Sequence, residues 1–185
     1  PKAYGRYQDL LDDPEVQAIY LATPHPQHAE WAIRAARAKK HILCEKPAAM
    51  SWAETSEMID AARENGVFFM EAFMYRCHPQ TERLVEVLQS GRIGEVHLIQ
   101  ATFSFHALYS RESRLFNKAL GGGAILDVGC YCASMCRLIA GAAQGWNRVA
   151  EPTEVKGAGW IDPTEGTDLL ASAILKFPGN LIAQL

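Results

Sequence analysis

The sequence predicts an α/β fold in which a parallel sheet with crossover helices is followed by an α+β domain carrying an open, mostly antiparallel sheet. Three observations carry that expectation. Between residues 16 and 70, short apolar runs alternate with helical patterns, the spacing of strand–helix–strand units. Residues 96–106 switch to a two-residue alternation of apolar and polar side chains. Residues 155–161 and 169–177 then lead through Pro178-Gly179-Asn180 into a further apolar run, the pattern of a meander with a tight turn.

Taken in order, Leu10 and Leu11 lie in a short helical segment that Pro14 ends. Residues 16–22 read as a strand, nearly all apolar from Ile19 to Ala22, as in a parallel sheet covered on both faces. Thr23-Pro24-His25-Pro26 breaks it. From 27 to 40 Ala29, Ile33 and Ala36 mark an apolar helical stripe, and the basic residues crowding its end suit the helix dipole. His41-Ile42-Leu43-Cys44 is too short for a helix and reads as a buried strand whose mouth presents Glu45-Lys46-Pro47. Pro47 confines the residue before it to extended geometry. Ser51 with Glu54 is a capping box opening a helix that Asn65-Gly66 stops, and 67–70 is the third strand. Ligands of such sheets sit beyond the carboxyl ends of the strands. Three loops fall there: 23–28, 45–47 and 71–76.

The second half divides from the first at about residue 72, giving domains 1–72 and 73–185. A helix is expected over 79–89. The alternating strand puts Ile99, Ala101, Phe103 and Phe105 on one face. Gly121-Gly122-Gly123 allows close backbone approach and leads into a helix expected over 124–139. No strand precedes these glycines, so they are not a dinucleotide fingerprint. The open apolar sheet face is an expected subunit contact.

Composition narrows the functional classes. Of 185 residues 49% are apolar and 21% charged, and the net charge is −3 with both signs interspersed. That balance argues against nucleic acid or an anionic membrane as partner, and no membrane span is expected. The five cysteines lack the spacing of a disulfide framework. Cys130, Cys132 and Cys136 cluster, but Cys130 and Cys132 stand too close for the usual zinc pairs and no C-x-x-C occurs, so no metal is expected and a reducing, cytoplasmic location is.

Several residues are candidates for chemistry. Lys46 is held at a strand mouth. Asp127 and Tyr131, four apart on a helix, share a face and can position a hydroxylated substrate and pass a proton; an aspartate complementing the helix dipole beside a core tyrosine is the structural alternative. His25 and His28 lie in the first strand-end loop, where either can bond a cofactor or sit at a helix start. Arg76 can hold a polar substrate group or pair on the surface. Cys44 is a nucleophile candidate, although a strand cysteine is more often an inert small hydrophobe. Met135 follows Tyr131 at the fourth position, so a Tyr-x-x-x-Lys arrangement is absent.

Ala22-Thr23-Pro24 with His28, Glu45-Lys46-Pro47, the run from Glu71 to Arg76, and Gly121-Gly122-Gly123-Ala124 through Asp127-Val128-Gly129 and Tyr131 together resemble the glucose–fructose oxidoreductase/inositol dehydrogenase/MocA family. Within it the chain is most similar to the branch of dimeric dihydrodiol dehydrogenase and NADP-dependent D-xylose dehydrogenase. The resemblance implies an NAD(P)-dependent dehydrogenase, with NADP or NAD as cofactor and a small polyhydroxylated substrate: a sugar, diol or polyol. It implies that Lys46, Tyr131 and Asp127 are catalytic. Thr23, Pro24, His25, His28, Glu45, Lys46, Pro47 and Arg76 would line the cofactor; Phe103, Phe105, Arg76 and Asp127 would border the substrate. It implies a homodimer or homotetramer through the open sheet face. The family's first βαβ, with its glycine-rich turn, would precede Tyr4, and closing strands would follow Leu185. The expectation is therefore an incomplete Rossmann-like sheet, a segment of a longer protein. A non-catalytic dinucleotide-binding or oligomerisation module of the same fold is the alternative.

Overall fold

Apolar runs of three or four residues form the first sheet: Ala18–Leu21 (β1), His41–Cys44 (β2) and Phe69–Glu71 (β3), all parallel and in the order β1-β2-β3. The computed structural model describes residues 2–185, in two units, one ending at Ala72 and the other spanning Phe73–Leu185. The first also holds helices Tyr7–Asp12 (α1), His28–Arg37 (α2) and Trp52–Asn65 (α3), with a 3₁₀ turn at His25–Gln27 before α2. Alanines at 32, 35 and 36 are fully buried, so α2 lies close on the sheet, and Ile42, Cys44 and Met58 complete the core.

The expected covering of both sheet faces is not what the unit shows. Tyr20, Leu43 and Phe68 are exposed. The reason is topological. Parallel crossovers are right-handed, and with the strands laid down successively in one direction both α2 and α3 fall on the same face.

Local signals for α3 are realised with one shift. Ser51 Oγ accepts the Glu54 N–H at 3.2 Å, but the Glu54 carboxylate takes the Met50 N–H at 2.9 Å, one residue before the usual reciprocal partner. Gly66 ends the helix in the left-handed region, φ 67°.

The second unit contains Pro79–Gln89 (α4), Leu98–Gln100 (β4), Cys130–Ala143 (α5), Glu154–Ile161 (β5), Asp168–Phe177 (β6) and Leu181–Gln184 (β7). Its sheet runs β4-β7-β6-β5; β5, β6 and β7 form the antiparallel meander and β4 pairs with β7 in parallel. The strand expected over 96–106 is only three residues long. Beyond Gln100 the Ala101 N–H reaches the Gln184 carbonyl (2.9 Å). Phe103 and Phe105 are exposed.

Helix α5 packs Cys136 and Ala140 against Ile99, Leu175, Phe177 and Leu181. The opposite sheet face is open: every residue of β5 is exposed, with Trp160 at 65% and Leu170 of β6 at 59%. The continuous helix expected from 124 is interrupted by a π turn, Ile125–Gly129, ahead of α5. Against the expectation of no membrane span, the stretch Lys118–Ala143 is long and apolar enough to cross one, with mean hydropathy 1.4 over its best window. It is not one uniform helix. Gly121 (φ 76°) and Gly123 (φ 123°) break it, and α5 belongs to the core above.

Candidate active site

In the first unit the carboxyl ends of β1 and β2 are tied together by side chains. His28, at the start of α2, is 0% exposed; its Nδ1 lies 3.0 Å from the Pro47 carbonyl and its Nε2 2.8 Å from the Thr23 carbonyl. The Glu45 carboxylate accepts the Lys46 N–H (3.2 Å) and the Tyr20 hydroxyl. On the far side of Pro47 the Ala48 N–H donates to the Glu71 carboxylate at 2.8 Å. Backbone bonds fix the ends of the same segment, Glu45 N–H to Leu21 and Ala72 N–H to Cys44. Lys46 thus sits, half-buried, in a loop anchored on both sides, joined to its neighbour Pro47 by a cis peptide bond. His25 opens the 3₁₀ turn with its ring edge-on to His28, centroids 5.7 Å apart, and Pro24 is its exposed N-cap.

One polar atom here is left over. The Thr23 hydroxyl is buried without a hydrogen-bond partner. Buried polar atoms are nearly always paired, and this one sits just past the carboxyl end of a parallel strand, where ligands of such sheets bind. That arrangement fits a polar group of a bound dinucleotide.

In the second unit Asp127 and Tyr131 have different surroundings. Asp127, in the π turn, is buried and paired with Arg114, Nη1 to Oδ1 3.1 Å. Tyr131, in the first turn of α5, stands among rings: Phe73 at 5.4 Å, Phe103 at 5.6 Å and Tyr75 at 6.2 Å between centroids, with its hydroxyl 3.8 Å from Met74 Sδ. Phe103, Phe105 and Asp127 line a cavity of about 650 Å³ together with Phe116, Ile125 and Leu170. Arg76 is turned to the protein: its guanidinium bonds the Ser134 carbonyl (3.0 Å) and hydroxyl (2.8 Å), and the Tyr75 hydroxyl meets the same serine at 2.8 Å.

The three glycines serve neighbouring backbone. A Cβ on Gly122 would stand 2.9 Å from Arg114 and Asn117 main-chain atoms, and one on Gly123 would collide with Asp168, whose carboxylate accepts the Ile125 N–H at 2.6 Å. Burial pushes the Cys44 thiol up to about 12, with Glu71 and Glu45 adding to the shift, and pushes Cys136 up to about 11. A thiol so placed is no nucleophile. Sequence reasoning assigned nothing to Glu71 within its motif and nothing to Tyr20 or Arg114. Arg114 lies in an irregular stretch whose spacing points to no partner.

The oxidoreductase family with an NAD-binding Rossmann fold, GFO/IDH/MocA, matches residues 1–73, and the GFO/IDH/MocA C-terminal domain matches 81–185. The chain belongs to this family. Relatives include trans-1,2-dihydrobenzene-1,2-diol dehydrogenase of Mus musculus, 39% identical over 181 residues, covering 98% of this chain and 51% of the relative. Another is D-xylose 1-dehydrogenase (NADP(+)) 2 of Haloferax volcanii, 37% identical, covering 100% and 54%. Among solved structures, the aldose-aldose oxidoreductase of Caulobacter crescentus complexed with glycerol superposes with a TM-score of 0.83 at 27% identity, over 96% of this chain and 52% of that one. The chain spans about half the length of these relatives. As a GFO/IDH/MocA chain it pairs a Rossmann-type sheet with a mixed α+β sheet.

Proposed function

We propose that the protein is an NAD(P)-dependent oxidoreductase that moves hydride between a nicotinamide and the CH–OH carbon of a small sugar, diol or polyol. What carries the reading is the family match across both units in a chain that has Lys46, Asp127 and Tyr131 at the positions the resemblance singles out. The names of the relatives point the same way, one to a diol and one to an aldose with NADP(+).

Bound nicotinamide would supply the hydride acceptor or donor at its C4 carbon. Thr23 would bond the dinucleotide through its spare hydroxyl, with Pro24, His25, Glu45 and Pro47 shaping the loops around it. Oxidation of an alcohol needs the hydroxyl proton removed as hydride leaves, and Tyr131 is the acceptor in this reading. A free phenol has a pKa near 10, so a base of this kind needs positive charge acting on it at neutral pH. Lys46 is the residue to which the family resemblance assigns that role. Asp127, set by Arg114, orients substrate hydroxyls, and Phe103 and Phe105 border them. Arg76 acts here through Ser134, as a brace.

A homodimer or homotetramer through the open β5–β6–β7 face belongs to the same proposal, as does a cytoplasmic location, supported by five free thiols. The test is absorbance at 340 nm when NADP or NAD is mixed with the purified protein and a panel of aldoses, diols and inositols. Reduction of one dinucleotide by members of the panel is the expected result. Dinucleotide binding, read by tryptophan quenching, without turnover of any member would favour the non-catalytic module instead.

A further inference from the structure

We propose that His28 is a positioning residue, the strut that sets the Lys46 loop against the Thr23 loop, rather than a cofactor ligand. The inference rests on the dehydrogenase reading for its catalytic consequence, but its structural part stands by itself. The ring is 0% exposed, so no face of it is presented to a ligand. Carbonyl oxygens only accept; a neutral ring has one N–H, which donates to Thr23 (2.8 Å) or to Pro47 (3.0 Å) according to the tautomer, while the other nitrogen faces the second carbonyl. Those carbonyls belong to loops at the ends of two adjacent parallel strands, β1 and β2. One is the backbone of the residue whose hydroxyl is left unpartnered, and the other directly follows Lys46.

Of the other anchors of the Lys46 loop, Glu45 on the Lys46 N–H and Glu71 on the Ala48 N–H act along it or toward β3, while the Tyr20 hydroxyl on Glu45 and the Glu45 N–H on the Leu21 carbonyl tie its start to β1 itself. His28 acts further out, beyond both strand ends, between Thr23 and Pro47. Because the ring grows from the first residue of α2, a helix packed on the sheet through buried alanines, the strut has a rigid base. Reacting groups displaced by about 1 Å lose turnover on the order of 10²-fold, so the strut matters to rate without touching any reacting atom.

The test compares His28→Ala with Leu11→Ala in the full chain. Leu11 is 3% exposed in the same core but lies in α1, whose end leads into the amino end of β1, so its truncation opens a cavity without removing the clasp. Amide hydrogen exchange of peptides spanning 21–25 and 44–50 is followed by mass spectrometry, alongside kcat and KM. We expect exchange of both peptides to accelerate by about tenfold or more in His28→Ala and not in Leu11→Ala. We also expect kcat to fall on the order of 10²-fold, with KM for the dinucleotide moving less than about tenfold. Unchanged exchange at 44–50 overturns the proposal whatever the turnover does, and so does a kcat loss no larger than that of Leu11→Ala. If wild-type protein oxidises no alcohol while both peptides loosen in His28→Ala, the strut stands and the dehydrogenase reading falls. Should His28→Ala not accumulate folded, His28→Gln keeps volume and one donor arm. It must then show the same two peptides loosened, to a smaller degree, or the proposal fails.

Discussion

Tyr131 and Cys44 show how surroundings assign roles that residue type leaves open. The phenol lies in a ring cluster with its oxygen at the margin, 3.8 Å from a thioether. The thiol is fully buried between the sheet and its helices. Burial disfavours the thiolate, which is why the Cys44 pKa rises to about 12. At pH 8 Cys44 and Cys136 should therefore resist a thiol reagent such as dithionitrobenzoate in the folded protein while exposed Cys77 reacts at once. Rapid titration of all five thiols without denaturant would contradict the burial described. Lys46 was legible as a candidate from sequence because an apolar run ending at a charged residue and a proline marks a strand mouth. The bonding of His28 was not, since a ring that holds backbone carbonyls has no partner side chain for a spacing pattern to reveal. The same holds for Ser134 beneath Arg76 and for Arg114 beside Asp127, partners 58 and 13 residues away.

Among the elements, those set by local chemistry are where the sequence puts them. The helix Pro79–Gln89 has proline at its first turn and His78 capping the Gln80 N–H at 3.1 Å, and α3 has Ser51 and Gly66 at its ends. The differences arise where a distant element decides. Residues 102–106 alternate like a strand yet do not form one, and the covering of one sheet face follows from strand order rather than from the apolar run itself. Gly122 illustrates packing that no propensity predicts. Gly122→Ala should cost about 1–3 kcal/mol, read as a lowered denaturant midpoint, because main-chain atoms 2.9 Å from the new methyl must give way. The segment after α1 is tuned by charge. The Asp13 carboxyl is held well below the usual carboxylate range by the Lys2 ammonium first, then by the Tyr4 hydroxyl and the Glu15 N–H. A depressed folded pKa contributes stability above the unfolded value near 4 that is lost as pH falls through the folded one. Asp13→Asn should thus destabilise the protein at pH 7 and leave it with a shallower acid limb below about pH 4 in a melting-temperature profile. An unchanged acid limb would contradict the pairing.

For the whole molecule, the broad architecture was readable because the hydrophobic period changes to a two-residue one at about residue 96, within the second family-matched stretch. The open face of the second sheet is an apolar surface of the kind that pairs subunits. Light scattering should report a dimer or tetramer for the protein, and Trp160→Glu with Leu170→Lys should shift it to monomer. A wild-type monomer would remove that role from the face. The claim on which the rest depends is that Lys46 and Tyr131 serve one reaction. A double-mutant cycle of Lys46→Met and Tyr131→Phe, read as kcat/KM for the preferred alcohol, tests it most directly. Each single change should lower the rate on the order of 10²- to 10³-fold, and the double should fall little below the worse single, because residues acting as a unit are not additive. Losses that multiply, or a Tyr131→Phe protein that turns over like wild type, would contradict it.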